Sequence, residues 1–262
     1  MEADPRLTAR ELAETLGVHN TTVIDHLHTL GMVSKLQQWV PHDLSENDRH
    51  RRAEAAASLL SYRRTDAWLD SIVTGYEKWC LYVNVKRKRT WTKKNEPPQP
   101  QPKQGLHPRK VMLCVWWDSR GMILYELLPP GTSITADLYC QQLQHLADKL
   151  VETRPRHGPV RFLHDNARPH VARATRQKLL ELGWEVLPHP PYSPDFAPTD
   201  YHFFRSLSGS LEGQAFVNQA ELNEWLAEFF ASKPAQFYRD GIRNLPEGWQ
   251  KVVDADGAYC LQ

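Results

Sequence analysis

The segment VRFLHDNARPHVA, residues 160–172, runs a short apolar stretch into Asp165, with His164 and Asn166 on either side. The stretch reads as a buried strand. The adjoining segment, ARATRQKLLELG (172–183), is an amphipathic helix closed by Gly183. An Asp or Asn just ahead of a helix is commonly an N-cap, because its side chain accepts from orphan backbone N–H groups. On position alone Asp165 therefore reads as a cap. The other reading is a strand that delivers a carboxylate to the end of a sheet, and the flanking sequence decides between the two.

Upstream, IVTGYEKWCLYVNV (72–85) and KVMLCVWWDSRGMILYELL (110–128) are rich in β-branched and aromatic residues, with DSRG folding the second into a hairpin. A helical pattern spans about 135–153. Downstream of the 172–183 helix come a strand at WEVLPHP (184–190) and a helix beginning near Thr199 or Asp200 in TDYHFFRSLSGSL. Three strands able to pair antiparallel, then helix, strand, helix, strand, helix, is the order expected of an RNase H-like α/β fold, a mixed sheet flanked by helices. That domain is expected over residues 69–262.

Ahead of it, LTARELAETLGVHNTTVIDHLHTLG (7–31) breaks at Gly17 into two short helices. Asn20 or Thr21 is the expected cap of the second, and Val23, Ile24, Leu27 and Leu30 its buried stripe. This predicts a small all-α helix-turn-helix module at 1–36, whose second helix can enter a major groove. His19, Asn20, Thr22 and His26 are the candidate DNA-facing residues. Over 37–68, Pro41 ends any preceding helix and Ser45 can cap a new one through about Leu60, which reads as a linker and connecting helix.

With 262 residues, 41% hydrophobic and 24% charged, the chain is of ordinary globular composition. Its net charge is only +1, so a nucleic-acid role has to come from local clustering. Residues 86–110 supply it, with nine Lys or Arg against one Glu, and with prolines at 97, 98, 100 and 102 that keep the run extended. Lys86, Arg87, Lys88 and Arg89 are the candidate phosphate contacts. The four cysteines form no CxxC pair, which argues against a zinc site or a disulfide framework. No apolar run approaches the roughly 18 residues of a membrane span, and residues 1–10 lack a signal-peptide core; an intracellular protein without membrane association is expected.

Two-metal phosphoryl chemistry needs carboxylates converging from separate elements, and hard Mg²⁺ prefers such oxygen donors. Asp165 ends one strand and Asp200 begins a helix after the next, with 34 residues between them. Asp195, between Pro194 and Pro198, reads as a turn residue. HDNARPHVA (164–172) followed by LPHPPYSPDFAPTDYHFF (187–204) resembles the catalytic core of mariner-family transposases. WVPHDL (39–44), KVMLCVWWD (110–118) and FYRDGIRNLPEGWQKVVDADGAY (237–259) resemble further motifs of that family, so the likeness covers nearly the whole chain.

The resemblance implies that Asp165 and Asp200 are catalytic and hold Mg²⁺ or Mn²⁺. It also implies double-stranded transposon-end DNA as partner, a homodimer and a nuclear location. Two departures qualify it. The family carries its first catalytic aspartate in a motif like VTGDEKW, whereas residues 73–79 read VTGYEKW, with Tyr76 at the acid position. A phenol is neutral at pH 7 and a poor ligand for Mg²⁺. The family also pairs two helix-turn-helix units, and the one read here resembles the second. The expectation is a transposase-type DNA binder with weakened metal binding, and with cleavage and strand transfer lost or severely impaired. The alternative is an active cut-and-paste enzyme in which Glu77 or another acid, such as Asp118, completes the site. Against it, side chains alternate across a strand, so Glu77 is expected to face away from Asp165.

Overall fold

The computed structural model describes residues 8–32, 40–62, 65–85, 108–155 and 157–260, and the chain divides into two compact units, Met1–Val40 and Pro41–Gln262. In the first, Thr8 and Glu11 form a reciprocal capping box that opens α1 (Ala9–Leu16), and Gly17, at φ 65°, ends it. The next helix, α2 (Asn20–Thr29), is capped by His19 rather than by Asn20 or Thr21: His19 Nδ1 accepts from the Thr21 N–H. Ala13 and Val23 are the buried residues between the two helices, with Ile24 and Leu27 half-buried. Leu30 leaves the expected stripe because it is the C-cap, past the last helical turn, and it is exposed.

In the larger unit, Ser45 caps α3 (Glu46–Ser61) as the sequence predicts, in a capping box with Asp48. This helix is more than a connector. It turns Arg52, Ala56 and Leu59 into the core and packs on the chain's last helix. A short α4 (Asp66–Leu69) then leads into β1 (Ile72–Leu81).

Alternation along β2 (Lys110–Asp118) sets the two faces of the sheet. Val111, Leu113, Val115 and Trp117 point one way, Cys114 and Trp116 the other, and all six are buried. The hairpin turns at Ser119 and Arg120 into β3 (Gly121–Leu127), with the Asp118 carboxylate accepting from the Arg120 and Gly121 N–H groups. Then come α5 (Ala136–Thr153), β4 (Arg161–Leu163), α6 (Arg173–Glu181) and β5 (Glu185–Val186). The strand order is β3-β2-β1-β4-β5, with β1, β2 and β3 antiparallel and β4 and β5 joining parallel. The last strand is shorter than the expected 184–190, since Pro188 and Pro190 have no N–H for a ladder.

Helices α5 and α6 cover the Trp116 face through Tyr139, Leu143, Leu146 and Leu179. The Trp117 face is covered by α3 and by α7 (Arg205–Leu211), α8 (Gln219–Ser232), α9 (Ala235–Arg243) and α10 (Leu245–Asp254). Gly75 is fixed by this packing: a Cβ there would lie 2.2 Å from Trp116 Cδ1. The mixed sheet between helical layers has the predicted RNase H-like arrangement.

Candidate active site

β1 alternation puts Tyr76 on the Ile72 and Thr74 face, where it is partly buried against the Trp117-side core. Parallel pairing of Thr74 with Leu163 brings the end of β4 alongside. Beyond Leu163 the chain sends His164 inward and half-buries Asp165. Asp165 is not the cap of α6. Its Oδ1 accepts from the Ala167 N–H at 2.8 Å, a local Asx turn, while the N-cap position belongs to Ala172.

Asp200 is the second residue of a π-helical turn, Thr199–Phe204, that runs into α7. Such turns interrupt helices at functional sites more often than elsewhere. The buried Thr199 hydroxyl anchors this one, accepting from Trp117 Nε1 at 3.0 Å and meeting the Thr74 hydroxyl at 3.2 Å. Thr74 thus ties the Asp200 turn to the strand that carries Tyr76.

The charges are set by this packing. Burial pushes the Asp200 carboxyl up to about 6, with the nearby Tyr76 hydroxyl opposing it and the Asp165 charge adding to it. The same burial, together with Asp200 and Asp165, pushes the Tyr76 phenol further above its ordinary value, so it is neutral and a donor. Its hydroxyl lies 3.5 Å from His189 Nε2. Asp165 is also penalised by burial, but hydrogen bonding and charge from His170 outweigh that and hold it below the usual range. For His170, burial acts downward, yet its bonds to Asp165 and Glu77 lift it to about 9. His164 falls to about 3 and His189 to about 4, mainly through burial.

Glu77 does take the opposite face of β1 from Tyr76, beside Cys114. It is nonetheless one imidazole away from Asp165, because the buried His170 donates from Nδ1 to Asp165 Oδ1 at 2.6 Å and from Nε2 to Glu77 Oε1 at 3.1 Å. Asp118, the other candidate acid, is fully buried and held by its turn and by Arg154 at 3.0 Å. Asp195 is more than a turn residue. Its two carboxylate oxygens take both terminal nitrogens of the fully buried Arg52, at 2.7 and 2.6 Å, while Arg52 Nε donates to the Gly257 carbonyl. Helix α3, the loop before Asp200 and the C-terminal segment are joined there.

The donor chemistry of Asp165 and Asp200 fits one hard divalent cation, which would offset the burial and the Asp165 charge that raise the Asp200 carboxyl. It does not fit a pair. Tyr76 adds only a neutral phenol to the two carboxylates, and among the described residues no group of three or more His, Cys, Asp or Glu is arranged to hold a metal ion. A cleft of about 440 Å³ opens beside Asp165, with His170, His189, Arg176 and Trp184 among its walls.

Of the candidate DNA-facing residues, His19 is engaged in capping and in a 2.8 Å bond to the Thr21 hydroxyl. Asn20 is half-buried, Thr22 is exposed, and His26 Nδ1 bonds back to the Thr22 carbonyl at 2.9 Å. Lys86, Arg87, Lys88 and Arg89 lie outside the described residues. No helix among the described residues is long and apolar enough to cross a membrane.

An RNase H-like sheet that gathers acids from the ends of separate elements is the build of a DDE-type transposase core, and residues 81–160 match the family described as Transposase (partial DDE domain). The chain is 43% identical to the Mariner Mos1 transposase of Drosophila mauritiana, over 99% of its own length and 76% of that protein's. It belongs to the mariner transposase family. It is also 48% identical to the histone-lysine N-methyltransferase SETMAR of Homo sapiens, covering 99% of this chain and only 38% of that protein. Among solved structures, the Mos1 mariner paired-end complex with Mn superposes with a TM-score of 0.88 at 44% identity, over 99% of this chain and 77% of that one. The Mos1 strand transfer complex gives 0.87 at 44% identity, over 99% and 76%.

Proposed function

We propose that this chain is a mariner-type transposase, or a derivative of one, that binds double-stranded transposon-end DNA but has lost most or all of its metal-dependent cleavage and strand transfer. The observation that carries the loss is Tyr76, a phenol kept neutral by burial and by the charges of Asp200 and Asp165, at the position where the family motif has an acid. DNA ends as the partner, a homodimer as the working form and the nucleus as the location rest on kinship with Mos1, which has been solved as a paired-end complex with a transposon end.

Asp165 and Asp200 are the residues that would hold Mg²⁺ or Mn²⁺, and both ions occur in Mos1 paired-end structures. When bound, such an ion supplies Lewis-acid polarisation of a phosphate and a more acidic attacking water. The chain's own groups work against holding it. Tyr76 brings a neutral phenol beside Asp200 in place of a carboxylate, and burial favours the Asp200 carboxyl's protonated form up to a pH of about 6. The active alternative requires Glu77 to turn toward the same ion, yet its carboxylate is taken by His170 on the other face of the strand.

The reading is tested by following Mn²⁺ binding by electron paramagnetic resonance in the natural chain and in Tyr76→Asp. At least tenfold tighter binding in the variant is expected. Equal affinities in the two proteins would refute the assignment of Tyr76 as the disabling residue.

A further inference from the structure

Tyr76 explains what the site lacks but leaves Glu77 without a role, although its carboxylate is nearly buried and its neighbour on the strand faces the site. A carboxylate at 12% side-chain exposure is costly unless it is engaged. Its partner, His170, is 1% exposed and uses both ring nitrogens on carboxylates, Glu77 at one end and Asp165 at the other. The ring is packed in an aromatic cluster as well, stacked on Tyr139 with centroids 4.1 Å apart and beside His164 at 5.1 Å.

We propose that Glu77 is a positioning residue for Asp165, acting through His170. Stacking confines the imidazole to a plane but does not select between its two flipped orientations. The Glu77 acceptor does, since flipping the ring would leave Nε2–H buried without a partner. With the ring fixed, Nδ1–H meets Asp165 Oδ1, which also accepts the Ala167 N–H. Both bonds fall on one oxygen, so the carboxylate is held in one rotamer with Oδ2 left for a ligand. Hydrogen-bond partners of metal-binding carboxylates matter in this way, and their loss typically costs about 10–100-fold in metal affinity. This inference rests on reading Asp165 as a metal ligand, but its hydrogen-bond geometry can be tested without metal.

Two substitutions separate reach from charge. Glu77→Gln keeps the reach and loses the charge, whereas Glu77→Asp keeps the charge and withdraws the acceptor by one methylene. In the full chain labelled with ¹⁵N-histidine, the 2.6 Å bond to Asp165 gives His170 a downfield, slowly exchanging Nδ1–H resonance. Positioning predicts that Glu77→Gln retains this resonance and Glu77→Asp loses it. Loss in the glutamine variant, or retention in both variants, overturns the proposal. Repeating the pair in the Tyr76→Asp background with Mn²⁺ alone, the aspartate variant should bind about 10–100-fold more weakly and the glutamine variant within about threefold of its parent. If the Tyr76→Asp parent itself binds no Mn²⁺, the metal reading of Asp165 fails, while the resonance still decides whether Glu77 positions it.

Discussion

At the scale of single residues, the site is a set of charges placed where they disagree. Asp200 has a folded-state value near 6 against an ordinary 3.8, so the folded chain holds its proton more tightly than the unfolded chain. Its contribution to stability is therefore present at low pH and lost as pH rises from about 4 through 6. Asp200→Asn should raise stability at pH 7 by about 1–3 kcal/mol and remove that slope, as read by urea unfolding across the pH range. His170 acts at higher pH. With a folded-state value near 9 against 6.5, it stabilises fully below about 6.5 and ceases to do so as pH climbs through 9. His170→Gln should flatten the decline in melting temperature between about pH 7 and 9.5. Packing sets a third expectation. Gly75→Ala drives a methyl into the Trp116 indole and should cost about 1–3 kcal/mol in denaturant unfolding. Tyr76, Asp165 and Asp200 were legible because each stands in a local motif with a countable spacing. The His170 bridge was not, since it ties His170 to Glu77 across 93 residues and no local pattern encodes such a contact.

Elements carry the next layer. Strand alternation in β1 and β2 and the tight turn at Ser119 and Arg120 are written in the periodicity, and so is the capping box that starts α3. What periodicity could not reveal is where α3 goes. Arg52 sits among alanines and other charged residues and reads as a solvated side chain, yet it is fully buried on Asp195, 143 residues away. Removing Asp195 leaves that guanidinium buried without its counter-ion. Asp195→Ala should therefore destabilise the larger unit by roughly 3 kcal/mol, measured by denaturant unfolding, and loosen the loop that presents Asp200. Likewise the 199–211 segment reads as one helix from its sequence. Its first turn is π-helical, with Thr199 held by Trp117 and Thr74 from two different strands.

For the molecule as a whole, family membership and fold fix the architecture, while the residues at the site and along the basic run decide what that architecture still does. A near-neutral net charge keeps general attraction to DNA low, so binding has to come from local arrays. If Lys86, Arg87, Lys88 and Arg89 contact phosphates, replacing all four with alanine should lower the slope of log affinity against log salt by up to about 3–4, as read by fluorescence anisotropy on duplex DNA. On the proposed function, one side chain disables an otherwise assembled site. The decisive measurement is nicking of supercoiled plasmid in Mg²⁺ and in Mn²⁺, with the natural chain beside Tyr76→Asp. Nicking by the aspartate variant, and little or none by the natural chain, is the expected result. Equal nicking by both would contradict it and return the missing ligand to Glu77 or another acid.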